Sequence, residues 1–175
     1  MSCYCFINGQ VLPADKATIR INDLGFLRSY AVFDFLRTYN GKPFRLKDHY
    51  ARFSNSACEL RLNLKYSEEE IKQIIEGLLS KSELKEAGVR LLLTGGYSRD
   101  SMNITEPNFL IIVEELPEYS PEIYKEGVKL ITYEYQRDIP LVKSTHYLNA
   151  IKLQPIVKEQ NAYDMLYCHK NEVLE

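Results

Sequence analysis

The hydrophobic and polar positions of this chain repeat with a period of two in some segments and of three to four in others. Residues 3–12 alternate around Asn8-Gly9, and the aromatic and β-branched segment Val32–Tyr39 is followed by Asn40-Gly41 and Pro43–Leu46. Asn-Gly between two strand-like segments is a strong signal for a two-residue turn. Both segments therefore predict β-hairpins.

The segment Leu46–Leu64 changes to helical spacing. Its apolar residues recur at three- and four-residue steps, which predicts an amphipathic helix with one face in the core. His49, Arg52 and Ser56 form a polar stripe beside that face, because they follow one another at steps of three and four. The apolar stripe consists of Leu46, Tyr50, Phe53, Ala57, Leu60 and Leu64.

A second helix is predicted to begin after Ser67. Glu70 lies three residues later, and a serine followed at this distance by a glutamate is a capping box. We expect this helix to continue to about Ala87 and to end at Gly88, since glycine commonly terminates helices.

The remaining elements lie on either side of a proline-containing segment, Leu116–Pro121, which is the best candidate for a linker. We therefore expect a small N-terminal domain at 1–116, a linker at 117–124 and the first part of a second domain at 125–175. The order of elements indicates an α+β fold. In chain order, the elements after Gly88 are strands at Val89–Thr94, Phe109–Val113 and Val128–Tyr135, a helix at Tyr147–Lys158, and a hairpin made by Met165–Cys168 and Val173–Leu174 around Asn171.

Composition excludes several classes of protein. A net charge of −2 offers no basic surface for nucleic acid, and no apolar segment approaches the roughly 20 residues of a membrane span. The first six residues carry no basic region before an apolar core, so we expect no signal peptide and a cytoplasmic location. The four cysteines form no CxxC pair, and the three histidines are dispersed, so we expect free thiols and no metal site.

Lys143 is the residue with the most distinctive chemistry. It lies between Ile139-Pro140 and an apolar helical segment, and Glu175 follows 175 − 143 = 32 residues later. A lysine can form a Schiff base with a carbonyl cofactor, and a carboxylate can keep a pyridine nitrogen protonated. Together they indicate pyridoxal 5'-phosphate (PLP) chemistry. A surface lysine and a solvated glutamate remain the alternatives.

Four motifs, in this order and at these spacings, resemble the class IV aminotransferases, the PLP fold-type IV family. That family includes branched-chain aminotransferase, D-amino-acid aminotransferase and 4-amino-4-deoxychorismate lyase. The resemblance covers nearly the whole chain. The motifs are Phe6–Gly9, Asp23–Phe26 with Val32–Gly41, His49–Ala57, and Lys143–Leu148 with Ala162–Leu166 and Glu175.

The resemblance implies a fold and a set of roles. The fold would be a small N-terminal α/β sandwich domain followed by the beginning of a larger, β-rich PLP domain. Lys143 matches the lysine that binds PLP and transfers the proton, and Arg52 matches the arginine that binds its phosphate. Glu175 matches the carboxylate at the pyridine nitrogen, and Tyr147 matches a tyrosine near the phenolic oxygen. Arg61, on the same predicted helix as Arg52, is expected to be structural.

The substrate pocket departs from the D-amino-acid branch of the family. In that branch an arginine and a nearby histidine bind the substrate carboxylate, whereas this chain has Gly95 directly after Thr94 and no histidine. Arg99 is a weaker candidate for the same role. Phe33 matches an aromatic wall residue that is often tyrosine, and its lack of a hydroxyl favours aliphatic substrate side chains.

The resemblance predicts a PLP-dependent aminotransferase that moves an amino group between an amino acid and a 2-oxo acid, as a homodimer. A lyase acting on 4-amino-4-deoxychorismate and a non-catalytic dimerisation module are the alternatives. In the family, further segments beyond the acidic hairpin contact the phosphate, so we expect these 175 residues alone to bind PLP weakly.

Overall fold

The computed structural model describes residues 3–82, 84 and 86–175, which form two compact units. The first unit comprises the chain up to Leu116 together with Val142–His146, and the second comprises Pro117–Leu141 and Tyr147–Glu175. The boundary at Leu116 coincides with the predicted one, but the short segment around Lys143 belongs to the first unit. The domain boundaries 1–116, 117–124 and 125–175 stay a prediction.

The first unit is built on a six-stranded sheet in which every pair is antiparallel. The order across the sheet is β2-β1-β6-β5-β3-β4. The described residues of this unit form three α-helices, and two of them, α2 and α3, pack on the sheet. The bounds are β1 Tyr4–Ile7, β2 Gln10–Pro13, α1 Leu24–Arg28, β3 Ala31–Tyr39, β4 Lys42–Pro43, α2 Leu46–Glu59, α3 Glu68–Ser82, β5 Gly88–Thr94 and β6 Phe109–Glu114.

The core of this unit lies between the sheet and the two helices. Burying one apolar stripe of each helix against the apolar face of the sheet removes both from water, which is the main favourable contribution to folding. Side chains that are at most 2% exposed include Val32, Leu36, Phe53, Ile71, Ile75, Leu78, Val89, Leu91, Ile111 and Val113.

Both predicted hairpins are confirmed. Asn8 and Gly9 have φ of 48° and 93°, and Asn40 and Gly41 have φ of 49° and 72°. A two-residue turn with both central residues at positive φ matches the twist of the two strands that it joins. Asn-Gly therefore joins β1 to β2 and β3 to β4, as the sequence predicts.

Helix α2 is shorter than predicted, because it ends at Glu59 and not at Leu64. Arg61 adopts the left-handed conformation, with φ of 55°, and the Leu62 N–H donates to the Ala57 carbonyl at 2.8 Å. This is the hydrogen bond of a Schellman helix end. Leu60 and Leu62 lie beyond this end but are still buried in the core. The run of apolar residues therefore continues past the helix and does not show where it ends.

Helix α3 begins as predicted and ends earlier. The Ser67 N–H donates to Glu70 Oε2 at 2.8 Å, and the Glu70 N–H donates to Ser67 Oγ at 3.3 Å, which is a complete capping box. The helix extends to Ser82. The expectation that Gly88 ends it is wrong, because Gly88 is the first residue of β5 and pairs with Glu114.

The second unit contains two helices and a three-stranded sheet of order β7-β8-β9. Strands β7 and β8 are parallel, with α5 between them in the chain, and β8 and β9 form the predicted hairpin. Its turn residues Lys170 and Asn171 have φ of 50° and 65°. Pro155 lies inside α5. The bounds are α4 Glu122–Glu126, β7 Leu130–Glu134, α5 Leu148–Glu159, β8 Asp164–His169 and β9 Glu172–Val173.

The α+β architecture predicted from the sequence is confirmed in both units. Within the part of the chain that the structure describes, no helix combines the length and the apolar character needed to cross a membrane.

Candidate active site

Lys143 is fixed by its backbone to two elements of the first unit. On one side its carbonyl accepts a hydrogen bond from the Phe33 N–H of β3 at 2.9 Å, and Thr145 N–H donates to the Ala31 carbonyl at 3.0 Å. On the other side the Lys143 N–H donates to Ser56 Oγ of α2 at 3.1 Å. The segment therefore lies as a short additional strand beside the N-terminal half of β3, with helix α2 next to it.

The side chain of Lys143 lies against Phe33. Its Nζ is 4.7 Å from the centroid of the Phe33 ring, which is within the range of a cation–π contact. The guanidinium carbon of Arg90 lies 6.0 Å from the same ring and 5.2 Å from the Phe35 ring. Phe33, a predicted wall residue of the substrate pocket, is thus in direct contact with the predicted PLP lysine.

Arg52 makes a paired interaction with Asp34. Its Nε donates to Asp34 Oδ2 at 2.7 Å and its Nη2 donates to Oδ1 at 2.8 Å. The Asp34 side chain is 0% exposed, whereas the Arg52 side chain is 51% exposed. The guanidinium therefore connects a carboxylate inside the fold with the surface of α2.

Asp34 is further bound by His49 and by a backbone group. His49 Nδ1 lies 2.8 Å from Oδ1, and the Phe35 N–H donates to the same oxygen at 2.8 Å. Burial of the carboxylate opposes its ionisation, but hydrogen bonds from Arg52 and His49 and the charges of both outweigh burial and lower the pKa of Asp34 below its ordinary value. Because an ionised carboxylate only accepts, His49 Nδ1 carries the hydrogen of this bond.

The polar stripe of α2 therefore contacts both strand β3 and the segment around Lys143. His49 and Arg52 bind Asp34 of β3, and Ser56, one turn later, binds the Lys143 backbone. Sequence reasoning identified the stripe but assigned a role only to Arg52. The sequence held one signal for Asp34. It lies between Val32 and Leu36, two apolar residues of β3 that face the core, and alternate residues of a strand face the same side.

Tyr147 and Glu175 belong to the second unit, where both line a groove of about 690 Å³. Arg137 lies between them in this groove. Its guanidinium donates to both carboxylate oxygens of Glu175, with Nη2 2.7 Å from Oε1, and its carbon is 4.8 Å from the Tyr147 ring centroid. The hydrogen bond from Arg137 to Glu175 raises the pKa of Arg137 above its ordinary value. The rest of the groove is largely apolar, including Ile151, Met165 and Leu166.

Glu175 is also held by its main chain. Tyr167 N–H donates to the Glu175 carbonyl at 2.8 Å, and Leu174 N–H donates to the Tyr167 carbonyl at 2.8 Å. The Glu175 side chain is half exposed. A carboxylate fixed in this way at the side of an apolar groove can accept a hydrogen bond from a ring N–H.

Arg99 occupies a loop that is organised by Asp100. The Asp100 carboxylate accepts hydrogen bonds from the Asn103 and Met102 N–H groups and from the Ser98 hydroxyl, at 2.9, 3.0 and 2.9 Å. The backbone bonds from Asn103 and Met102 and the side-chain bonds from Asn103 and Ser98 hold the pKa of Asp100 well below its usual range. Arg99 itself is exposed.

Gly95 has no room for the arginine of the D-amino-acid branch. A Cβ at this position would lie 2.9 Å from Leu24 Cδ1 and 3.0 Å from Tyr30 Cδ1. Both are closer than a carbon atom normally approaches another carbon. The position after Thr94 therefore faces packed side chains, and a long cationic residue is not accommodated there.

Arg61 is exposed and forms the left-handed end of α2, in keeping with the structural role expected of it. The four cysteines, all in the described part, are free thiols. Within residues 3–82, 84 and 86–175, no group of three or more histidine, cysteine, aspartate or glutamate side chains is arranged to hold a metal ion.

The chain is similar to aminotransferases along its whole length. It is 25% identical to a D-alanine aminotransferase of Staphylococcus epidermidis over 173 residues, which cover 97% of this chain and 61% of that protein. It is 36% identical to a probable branched-chain-amino-acid aminotransferase of Rickettsia typhi over 141 residues, which cover 78% of this chain and 47% of that protein.

The fold is similar to that of solved branched-chain aminotransferases. One, solved with pyridoxamine 5'-phosphate, has a TM-score of 0.86 at 22% identity, and the match covers 100% of this chain and 62% of that one. Another, from the archaeon Thermoproteus uzoniensis with norvaline, has a TM-score of 0.85 at 19% identity, over 100% of this chain and 63% of that one. This likeness confirms the predicted fold class. The chain spans about half to three-fifths of the length of the proteins that it matches.

The model of the family described as amino-transferase class IV matches residues 31–175. That range contains the Asp34–Arg52 pair, the fixed backbone of Lys143, and the groove with Tyr147 and Glu175. A match over this much of the chain means that the chain belongs to the class IV amino-transferases.

Proposed function

We propose that the protein is a PLP-dependent aminotransferase that moves an amino group between an amino acid and a 2-oxo acid. The observation that carries the proposal is the placement of Lys143. Its peptide is held on both sides, by β3 and by Ser56, while its amine lies beside the aromatic face of Phe33. A fixed backbone with a long side chain against an apolar ring suits an amine that must reach one reactive carbon.

The residues present fit PLP by the chemistry of their donors and acceptors. Arg52 offers a planar guanidinium for a phosphate, and Glu175 offers a carboxylate for a protonated ring nitrogen. The Tyr147 hydroxyl can donate to a phenolic oxygen. When bound, PLP supplies the carbonyl that takes up the amino group and the ring that withdraws the electron pair left at the substrate Cα.

In this proposal Lys143 has two tasks. Its amine would hold PLP and, once the amine of the substrate displaces it, would move the proton that leaves the substrate Cα. Arg52 binds the phosphate, Glu175 keeps the ring nitrogen protonated, and Tyr147 orients the ring. Phe33 forms an apolar wall that limits the access of water to the amine.

The substrate class follows from the pocket residues as part of the same proposal. Phe33 brings no hydroxyl, and packing at Gly95 leaves no place for an arginine. Because Phe33 brings no polar group, an aliphatic substrate side chain suits this wall of the pocket. The exposed Arg99, held in the Asp100-organised loop, is the remaining candidate for the substrate carboxylate.

Spectroscopy and kinetics together test the proposal. The protein with PLP should show the visible absorption of lysine-bound PLP and transfer amino groups to 2-oxo acids, and Lys143→Ala should lose both. Retention of transamination by Lys143→Ala would refute the assignment. Release of pyruvate from 4-amino-4-deoxychorismate without any 2-oxo acid acceptor would show a lyase instead. Absence of PLP binding by the whole protein would show a non-catalytic module.

We propose further that the active protein is a cytoplasmic homodimer. Support comes from large apolar side chains on the surface of the first unit, with Ile21, Phe26 and Met102 more than 70% exposed, since association would remove such side chains from water. Sedimentation of the purified protein at the mass of a monomer would contradict the dimer, and recovery of the protein in a membrane or extracellular fraction would contradict the location.

A further inference from the structure

We propose that Asp34 is a positioning residue, which holds the guanidinium of Arg52 in the orientation needed to bind the phosphate of the cofactor. This inference rests on the proposed function, because it takes Arg52 to be the residue that binds the phosphate. It adds a residue to the site that sequence reasoning did not include.

Burying a carboxylate is costly, so stability alone does not explain why residue 34 is an aspartate. Its side chain is 0% exposed and lies in a strand between Val32 and Leu36, which are buried apolar residues. Replacing a buried ion pair by well-packed apolar residues is often neutral or stabilising, because taking charges out of water is costly. An apolar residue at this position would avoid that cost, so the carboxylate calls for another explanation.

The geometry of the pair provides that explanation. Arg52 binds Asp34 with Nε and Nη2, at 2.7 and 2.8 Å, which is the side-on arrangement of a guanidinium and a carboxylate. A guanidinium is planar and rigid, so fixing two of its nitrogen atoms fixes the plane and the direction of the third. With 51% of the side chain exposed, the rest of the group faces outward from α2.

Asp34 is itself held, so it can serve as a fixed reference. The Phe35 N–H and His49 Nδ1 both bind Oδ1 at 2.8 Å. Groups that bind a ligand work best when their own positions are locked by a second set of hydrogen bonds. Here the Phe35 N–H and His49 hold Asp34, Asp34 holds Arg52, and Arg52 would bind the phosphate.

Two possible effects of Asp34, orienting Arg52 and merely offsetting its charge, make opposite predictions for Asp34→Asn. If Asp34 only weakened the positive charge of Arg52, its neutralisation would strengthen phosphate binding. If Asp34 positions Arg52, its neutralisation frees the guanidinium and weakens phosphate binding. The expected loss is about tenfold, on the scale of the rotamer freedom that an unrestrained arginine retains.

The experiment compares PLP with pyridoxal, which lacks the phosphate but keeps the aldehyde and the ring. For each variant the ratio of the pyridoxal Kd to the PLP Kd is measured by absorption titration. This ratio isolates the phosphate, because a general loss of structure weakens both ligands alike. We expect Arg52→Met to remove most of the preference for PLP and Arg61→Met, at the exposed arginine just beyond the same helix, to keep it.

Asp34→Asn should lower the ratio about tenfold, and adding it to Arg52→Met should change nothing more. If Asp34→Asn does not fold, Asp34→Glu serves, since it keeps the charge and shifts the carboxylate by one methylene. The ratio should then fall as well, whereas a role of charge alone would leave it unchanged.

If Arg52→Met removes most of the preference but the folded Asp34 variant shows an unchanged or higher ratio, the proposal for Asp34 is overturned. If the wild type binds PLP and pyridoxal equally, or if Arg52→Met keeps the preference, the proposed role of Arg52 fails, and this inference fails with it. The two failures are therefore distinguishable.

Discussion

Replacing Arg52 by methionine gives the sharpest test of the buried pair on which the site depends. The substitution removes two charge-assisted hydrogen bonds, at 2.7 and 2.8 Å, from a carboxylate that is 0% exposed. Removing one partner of a buried ion pair commonly costs about 3–5 kcal/mol. Arg52 is half exposed, and His49 and the Phe35 N–H still bind Asp34, so we expect a smaller loss of about 2–3 kcal/mol.

The pH dependence of this loss has a definite sign. In the wild type the pKa of Asp34 lies below its ordinary value, because hydrogen bonds and charges from Arg52 and His49 outweigh burial. Asp34 therefore stabilises the fold above the unfolded pKa of about 3.9, and this contribution is lost as the pH falls through the folded pKa. Without Arg52, the hydrogen bond and the charge that oppose the effect of burial most strongly are gone, so we expect the folded pKa of Asp34 in the variant to rise above the unfolded one. Stability of the variant then recovers as the pH falls through that raised value.

Urea unfolding at a series of pH values measures both effects. Far-UV circular dichroism is the suitable signal, since the chain has no tryptophan. The free-energy difference between wild type and Arg52→Met should be largest near neutral pH and should shrink toward about pH 4. The control Arg61→Met removes an exposed arginine and should stay within about 0.5 kcal/mol of the wild type. A difference below about 0.5 kcal/mol at neutral pH, or one that grows on acidification, would refute the reasoning.

Two further substitutions test other parts of the structure. Gly96→Ala should destabilise the first unit by more than about 1 kcal/mol, because Gly96 has φ of 81° and a Cβ would lie 2.1 Å from the Glu106 carbonyl oxygen; thermal unfolding checks this. Gly77→Ala, in open space on α3, is its control and should raise Tm slightly, and equal Tm changes would contradict the argument. Arg137→Met should loosen the Glu175 carboxylate, since it removes the hydrogen bonds from Arg137 to both of its oxygens; the NMR order parameter of the Glu175 side chain should fall below about 0.6, and an unchanged value would show that Arg137 does not hold it.

Local signals in the sequence predicted the elements whose geometry is decided within a few residues. Both Asn-Gly turns form because these two residue types adopt positive φ more readily than others. The capping box of α3 forms because Ser67 and Glu70 satisfy each other's backbone groups. These features require no knowledge of the rest of the chain.

The features that the sequence did not predict depend on contacts between distant residues. Leu60 and Leu64 continue the apolar pattern of α2 beyond its end because they pack against the same core without being helical. Asp34 is separated from Arg52 by 18 residues, so no local spacing reveals the pair. The attachment of Lys143 to Ser56 spans 87 residues, which explains why the segment around Lys143 was assigned to the later part of the chain.

Helix α2 connects the two halves of the proposed chemistry within the first unit. Arg52 and Ser56 are four residues apart, so they lie on neighbouring turns with a rise of about 6 Å between them. One holds the guanidinium proposed for the phosphate, and the other holds the backbone of the proposed PLP lysine. In PLP the phosphate arm and the aldehyde are attached to neighbouring ring carbons, so their two binding groups must also keep a short and constant separation. A single rigid helix provides it, which accounts for a polar stripe beside the core stripe of α2.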